Sequence, residues 1–248
     1  MIPAVDIATI AEELRSHSGE IIETFEDQDR ATDTDPRVLV DALEELFNSL
    51  RRLAREDPPG LVQAQALPDE NNVQALGDYG IRLLARLAGV AGRLRLPQQA
   101  RRVEELTLPF ACWIARQGGE LSNLSPVVNG AAGLANSLKE SAELAHLYGL
   151  LSEVANAVSP QVSQDTASTD PTRPWRILLL NRAIVATRSH RTALMEEAFE
   201  SLIEHLPDDA PDFFREGMEQ MDALNYPPHV RAVMQRYYAQ WSGQRVLH

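Results

Sequence analysis

The residues of this chain that could do chemistry are few and scattered over 248 positions. Glu143 and His146 lie three positions apart, which places a carboxylate and an imidazole on one face of a helix. A di-iron site in a helical bundle needs two such Glu-x-x-His motifs and further glutamates. None of the other five histidines follows a glutamate at this spacing. The sequence therefore predicts no metal site.

The single cysteine gives no better candidate for a nucleophile. Cys112 lies in the apolar run Pro-Phe-Ala-Cys-Trp-Ile, and a cysteine in such surroundings is usually a buried small hydrophobe rather than a reactive thiolate. The chain also lacks the Gly-x-Ser-x-Gly and His-Glu-x-x-His motifs. We therefore assign no catalytic residue and no cofactor, and the sequence favours a non-enzymatic protein over an enzyme.

The spacing of apolar residues predicts helices along most of the chain. In 72–95 they recur every three or four positions, which is the period of one buried helix face. Further helices are predicted at 3–28 with a break at Ser16–Gly19, 36–56, 98–117, 125–138, 139–158, 173–189, 191–206, 210–223 and 227–242. No segment shows the alternation of a strand. We predict an all-α protein of about ten helices in antiparallel hairpins.

Polar and proline-containing stretches divide these helices into regions. We predict an N-terminal helical arm with an acidic connector at 1–35, a central helical array at 36–158, a linker at 159–172 and C-terminal helical hairpins at 173–248. The linker is rich in Ser and Thr, as mobile connections are. The arm carries a stripe of large apolar residues, so we expect it to dock on the core. A homo-oligomer that exchanges the arm is the alternative.

The composition limits the partners and the location. A net charge of −13, from 36 acidic and 23 basic residues, argues against a broad surface for nucleic acid or an anionic membrane. No apolar run approaches the ~20 residues of a membrane-spanning helix. The N-terminus lacks the cationic and apolar regions of a secretory signal. Together with the single cysteine, these features favour the cytoplasm.

The charges are distributed unevenly along the chain. Six arginines and no acidic residue fall between Arg82 and Arg102, whereas ten acidic residues and one arginine fall between Glu196 and Asp222. For both stretches the favoured interpretation is a solvated helix face. The alternatives are that the first binds an anion or an acidic partner and that the second recognises a basic peptide.

The last 70 residues contain a repeat with a spacing of 34 positions. Leu179 and Ala183 correspond to Phe213 and Gly217, in each case a large apolar residue followed four positions later by a small one. In the helices that follow, three large apolar residues also correspond, one place beyond the strict spacing: Met195, Phe199 and Leu202 with Val230, Met234 and Tyr237. Pro207 closes the first unit.

This pattern resembles the tetratricopeptide repeat, a helix–turn–helix unit of 34 residues. The aromatic residue that the family carries three positions after the small one is replaced by Ala186 in the first unit and by Gln220 in the second. The resemblance implies a partly superhelical array in this part of the chain, with a groove that binds peptides.

The leading functional hypothesis is a non-enzymatic adaptor that binds a protein or peptide partner through that groove, without nucleic acid or membrane. In the repeat register, Phe214, Met218 and Met221 face the concave side, and flexible methionines suit an adaptable surface. With Arg188 they are the predicted peptide-binding residues. The acidic residues between Glu196 and Asp222 would steer basic partners toward the groove. Together with Phe213 the three apolar residues form one cluster, for which the favoured interpretation is core packing between the last two hairpins.

A second hypothesis, from another functional class, is a small-ligand binder or an enzyme with a pocket among the central helices. Helical bundles form such pockets from apolar side chains and a few polar ones. The polar candidates are Asn129, Asn136 and His146.

Overall fold

The structure is a computed structural model that describes residues 2–28, 34–56, 70–164, 170 and 172–242. Extended pairing in these residues is limited to an isolated bridge between Leu121 and Val158. The helices are α1 (Ile7–Asp27), α2 (Pro36–Glu56), α3 (Glu70–Arg93), α4 (Pro97–Glu105), α5 (Thr107–Arg116), α6 (Ser125–Ser137), α7 (Ser141–Ala157), α8 (Pro160–Ser163), α9 (Pro174–Arg188), α10 (Thr192–His205), α11 (Ala210–Ala223) and α12 (Pro228–Ser242). The prediction of an all-α fold is confirmed.

Local sequence explains where many of these helices begin. The carboxylate of Asp6 accepts a hydrogen bond from the backbone N–H of Thr9 at 2.9 Å and so caps α1. Proline, whose missing N–H costs nothing at the first helical position, begins α2, α4, α9 and α12. The four C-terminal helices α9 to α12 begin and end within one residue of their predicted bounds.

The predicted break at Ser16–Gly19 was wrong, because α1 runs through it without interruption. The hydroxyl of Ser16 donates to the carbonyl of Glu13 at 2.8 Å, so its polar group is satisfied within the helix. Ile10 and Ile21, on either side of the expected break, are both fully buried. Burial of one continuous apolar stripe outweighs the low helix propensity of the Ser and Gly residues.

The predicted helix 98–117 is divided into α4 and α5 at Leu106. Pro109 has no N–H to donate to the carbonyl of Glu105, so the regular hydrogen-bond ladder cannot continue here. The hydroxyl of Thr107 instead donates to the carbonyl of Glu104 at 2.6 Å and that of Pro126 at 2.9 Å. The helix is therefore interrupted at Leu106.

The chain divides into two compact units, Met1–Asn136 with Glu153–Ala167, and Ser137–Ser152 with Ser168–His248. This division differs from the predicted regions. The N-terminal helix belongs to the same unit as the central helices, and the first part of α7 belongs with the C-terminal ones. Much of the predicted linker (165–169 and 171) and part of the predicted acidic connector (29–33) lie outside the described residues.

In the first unit, α1 packs on α2, α4 and α5 of the same chain. Its residues Ile10, Leu14 and Ile21 are fully buried, so the arm is docked as expected. At Gly80, α3 comes very close to its neighbours: a Cβ there would lie 2.5 Å from the Phe110 ring and 2.7 Å from the Leu46 side chain. A dense core therefore backs α3.

The second unit is built around an aromatic cluster between α10, α11 and α12. The ring of Phe199 lies edge-on to those of Phe213, Phe214 and Tyr237, with centroid distances of 5.7, 5.1 and 5.2 Å. Such pairs stabilise a core beyond the area that they bury. The six residues that the repeat pairs in the second helices of the hairpins are all buried. Kinship with the tetratricopeptide repeat stays a prediction.

A buried arginine ties α7 to the C-terminal helices. Arg182 of α9 donates hydrogen bonds to the hydroxyls of Tyr148 at 2.8 Å and Ser152 at 2.9 Å, and it pairs with Glu197 at 2.6 Å. Burial raises the pKa of Tyr148 to about 12, although the nearby Arg182 charge opposes the shift. Tyr148 therefore remains neutral at physiological pH, and the network joins three helices of the second unit.

Candidate functional site

The second unit contains a groove of about 310 Å³ between α9, α11 and α12. This volume lies at the lower end of the range for ligand pockets, which suits one or two large side chains of a bound peptide. The residues that line it are Ile184, Thr187, Arg188, Phe213, Glu216, Gly217, Gln220, Met221, Leu224, Tyr226 and Met234.

Exposed apolar side chains flank this groove. Among the described residues, four large apolar side chains are exposed, and two of them belong to the groove: Ile184 of α9 at 44% and Leu224 after α11 at 63%. The other two, Val38 and Tyr79, lie in the first unit. Apolar surface that stays exposed beside a recess is typical of an interaction site.

A glycine shapes the wall between α11 and α12. A Cβ on Gly217 would lie 2.7 Å from both Sδ and Cε of Met234, a distance that forces a shift of that side chain. The absent side chain therefore lets Met234 approach α11 closely. Because a methionine side chain can adopt several shapes, this part of the groove can adjust to its occupant.

One end of the groove is polar and positively charged. Arg188, at the end of α9, donates a hydrogen bond to the carbonyl of Leu138 at 2.8 Å, which fixes its position. Burial raises the pKa of the neighbouring Tyr226, and the charge of Arg188 acts in the opposite direction. The Tyr226 ring also packs edge-on against His190, at 5.3 Å between centroids. This end of the groove therefore combines a guanidinium group with two aromatic rings.

The α11 side of the groove is acidic. Asp212, Glu216 and Glu219 lie three or four positions apart and so share one side of the helix. All three form ion pairs with Arg215, at 3.3, 3.6 and 3.4 Å. Glu216 itself lines the groove. Three carboxylates around one guanidinium leave this edge with a net negative charge.

The structure places two of the four predicted peptide-binding residues in the lining of the groove. Arg188 and Met221 line the groove, while Met218 is half-buried and is not part of the lining. Phe214 is fully buried in the aromatic cluster, and its neighbour Phe213 lines the groove instead. Successive helical residues point about 100° apart, so a small error in the assumed register exchanges the two rings. A peptide-binding role for these residues stays a prediction.

Sequence reasoning missed several of the lining residues. Ile184, Leu224 and Met234 were not assigned to a site, although all three contribute to the groove. A periodic pattern marks apolar residues as buried, and no local signal shows that Ile184 and Leu224 stay exposed. Only the packing of α9, α11 and α12 reveals it.

The predicted ligand-binding residues lie elsewhere. Asn129 and Asn136 are exposed on α6 in the first unit, and His146 is exposed on α7 in the second. Asn129 is also hydrogen-bonded to the side chain of Glu104. None of the three lines the groove, and a ligand at these residues stays a prediction.

The structure also describes the surroundings of Cys112 and of the possible metal ligands. Cys112 is buried, and desolvation by this burial raises the pKa of its thiol to about 12, with a smaller contribution from the charge of Glu153. The thiolate that a nucleophile requires is therefore disfavoured. In the part of the chain that the structure describes, no group of three or more His, Cys, Asp and Glu side chains could hold a metal ion.

Two further findings concern membrane-spanning helices and similarity to known proteins. Within the described residues, no helix has the length and apolar character needed to cross a membrane. Compared with known proteins, the chain matches no protein-family model, no curated protein and no solved structure.

Proposed function

We propose that this is a non-enzymatic interaction protein whose second unit binds a peptide segment of a partner in the groove between α9, α11 and α12. The observation that supports it best is an apolar recess flanked by the exposed side chains of Ile184 and Leu224. Burying one large apolar side chain contributes about 1.5–3 kcal/mol. One anchor residue therefore supplies a useful part of the affinity of a peptide.

The charges beside the groove favour a basic peptide. The edge formed by Asp212, Glu216 and Glu219 carries more negative charge than Arg215 neutralises. Opposite charges accelerate association and select between partners more than they add to affinity. The proposed ligand is thus a segment with one large apolar side chain flanked by Arg or Lys. This proposal keeps the tetratricopeptide-like array and the cytoplasmic location as hypotheses.

The experiment measures fluorescence anisotropy with fluorescein-labelled nonapeptides. Their central residue is Leu, Phe, Trp or Ser, and their flanking residues are Arg, Ser or Glu. We expect the Arg-flanked peptides with an apolar centre to bind most tightly. The double substitution Ile184→Ser and Leu224→Ser should weaken their binding about tenfold or more, which corresponds to ~1.4 kcal/mol.

Val38→Ser is the matched control, because Val38 is 65% exposed and lies in the first unit. It removes an exposed apolar side chain without touching the groove, so binding should not change. The proposal is wrong if the peptides with a central Ser bind as tightly as the others. It is also wrong if Val38→Ser weakens binding as much as the double substitution does.

A further inference from the structure

The first unit carries a surface of the opposite charge, which we call the basic face of α3. It is formed by Tyr79, Arg82, Arg86 and Arg93, and all four side chains are exposed. Their spacings of three, four and seven positions keep them on one side of the helix. They extend over about 21 Å at 1.5 Å per residue.

The arginines of this face differ from other arginines of the first unit in their ion pairing. Within the described residues, Arg82, Arg86 and Arg93 form no ion pair, although the chain has 36 acidic residues. Other arginines of the same unit do pair: Arg37 lies 2.9 Å from Glu26, and Arg116 lies 2.8 Å from Glu153. A cluster of uncompensated guanidinium groups in an acidic protein therefore needs a separate explanation.

The nearest carboxylate on the same helix is occupied elsewhere. Asp78 lies one turn before Arg82, where an ion pair between positions i and i+4 would be expected. It accepts instead the backbone N–H groups of Ser122 at 3.3 Å and Asn123 at 3.1 Å. The fold thus uses this carboxylate to hold a loop, and Arg82 remains available to a partner.

Helix stability does not account for these residues. A cation in the last turn is favourable because of the helix dipole, and this explains Arg93 alone. Arg82 and Arg86 lie far from the end of α3, and like charges four positions apart destabilise a helix. The repulsion between these two arginines therefore opposes helix formation, and no ion pair within the described residues compensates for it.

The turn after α3 adds a further cation at a position where glycine is usual. The N–H of Leu96 donates to the carbonyl of Ala91 at 2.9 Å, and that of Arg95 to Gly92 at 3.1 Å. These are the two bonds of a Schellman motif, whose left-handed residue is usually Gly. Here it is Arg95, with φ of 61°. The strained arginine extends the positive charge beyond the helix.

We propose that the basic face of α3 binds an acidic segment of a partner protein. Guanidinium groups match carboxylates in bidentate geometry, and Tyr79, exposed at 42%, adds an aromatic contact at one end. Tyr and Arg are the residues that dominate protein interfaces. A long polyanion such as nucleic acid, or an anionic membrane, would also meet the net charge of −13 of the whole chain. A short acidic segment meets only the local positive charge.

The test compares the wild-type chain with the triple substitution Arg82→Gln, Arg86→Gln and Arg93→Gln. The probe is a fluorescein-labelled peptide of four Glu-Ala-Glu-Leu repeats, and the comparison peptide has Gln in place of Glu. We expect the acidic peptide to bind the wild type, with an affinity that falls as salt is added. The triple substitution should weaken this binding at least tenfold, and the neutral peptide should not bind.

The charge-matched control is Arg15→Gln, Arg52→Gln and Arg236→Gln, three exposed arginines outside the basic face. It should leave binding unchanged. If the triple variant is unfolded by circular dichroism, Arg86→Gln alone is compared with Arg52→Gln alone.

Three results would overturn the proposal. The acidic peptide binds no better than the neutral one, or the control variant weakens binding equally. The third is that oligothymidylate or phosphatidylserine vesicles bind more tightly than the peptide and lose that binding in the triple variant. Since none of these results involves the groove of the second unit, the two proposals are tested independently.

Discussion

The groove is lined by side chains that also form the core of the second unit. The basic face of α3, in contrast, consists of exposed side chains on a helix whose opposite side packs in the first unit. Met221 and Met234 line the groove and are buried. Arg82 and Arg86 are exposed and form no ion pair within the described residues, and the close packing of α3 at Gly80 is on another side of the helix.

This difference separates stability from recognition in the two regions. A change in the groove alters packing and binding together, because the same atoms serve both. A change on the basic face should alter binding and leave the fold intact, since exposed substitutions usually change stability by less than about 0.5 kcal/mol. The predictions below test that contrast.

The largest expected effect comes from two adjacent rings. Phe214 is fully buried, so Phe214→Ala should lower the free energy of unfolding by about 3–5 kcal/mol. Phe213 is only half-buried and lines the groove, so Phe213→Ala should cost less stability while weakening peptide binding. Urea unfolding and anisotropy measure the two effects. Equal losses of stability for both variants would contradict the placement of these rings.

A smaller effect is expected where a helix ends in a strained residue. Arg95 and His190 have φ of 61° and 59°, and glycine removes the steric cost of this conformation, which is about 1–2 kcal/mol. Arg95→Gly should stabilise the chain by about 1 kcal/mol in urea unfolding. His190→Gly also removes the ring contact with Tyr226 and should therefore gain less. Asn225, at φ of 52°, is the control, because asparagine tolerates this region and should gain less from Gly.

Arg95→Gly also tests whether stability and recognition are separate on the basic face of α3. If the cation of Arg95 serves recognition, the substitution should weaken binding of the acidic peptide while it stabilises the fold. A variant that is less stable than the wild type would show that Arg95 makes contacts that outweigh its strain.

The smallest effect concerns Glu104, a half-buried acid of α4. Burial raises the pKa of Glu104, the hydrogen bond from Asn129 lowers it, and the charge of Glu105 raises it further. The folded state therefore binds this proton more tightly than the unfolded state. The stability that protonation provides is present below the unfolded pKa, and it is lost as the pH rises through the folded pKa.

Glu104→Gln removes this dependence. The stability of the variant relative to the wild type should rise as the pH increases above the ordinary glutamate pKa of about 4.3. Urea unfolding at several pH values measures it, with Glu12→Gln, an exposed glutamate of α1, as the control. A relative stability that is constant or falls over this range would show that Glu104 is better solvated than its position indicates.

The sequence by itself determined the helices and the fold class. Apolar spacing, prolines at the first turns and polar breaks located α9 to α12 within one residue, because these signals act over a few neighbouring positions. The same pattern predicted that the N-terminal arm would dock. The break expected at Ser16–Gly19 failed because burial across the whole of α1 outweighed local propensity.

Only the tertiary structure shows which side chains and helices are neighbours. Contacts between distant positions decide whether Phe213 or Phe214 lines the groove, and they assign the start of α7 to the second unit. They also decide that Arg82 and Arg86 form no ion pair within the described residues. A periodic pattern shows which face of a helix is apolar, but it does not identify the neighbour that covers that face. Charge runs likewise show no pairing until the fold places the acids, as it does when Asp78 turns to the loop at Ser122.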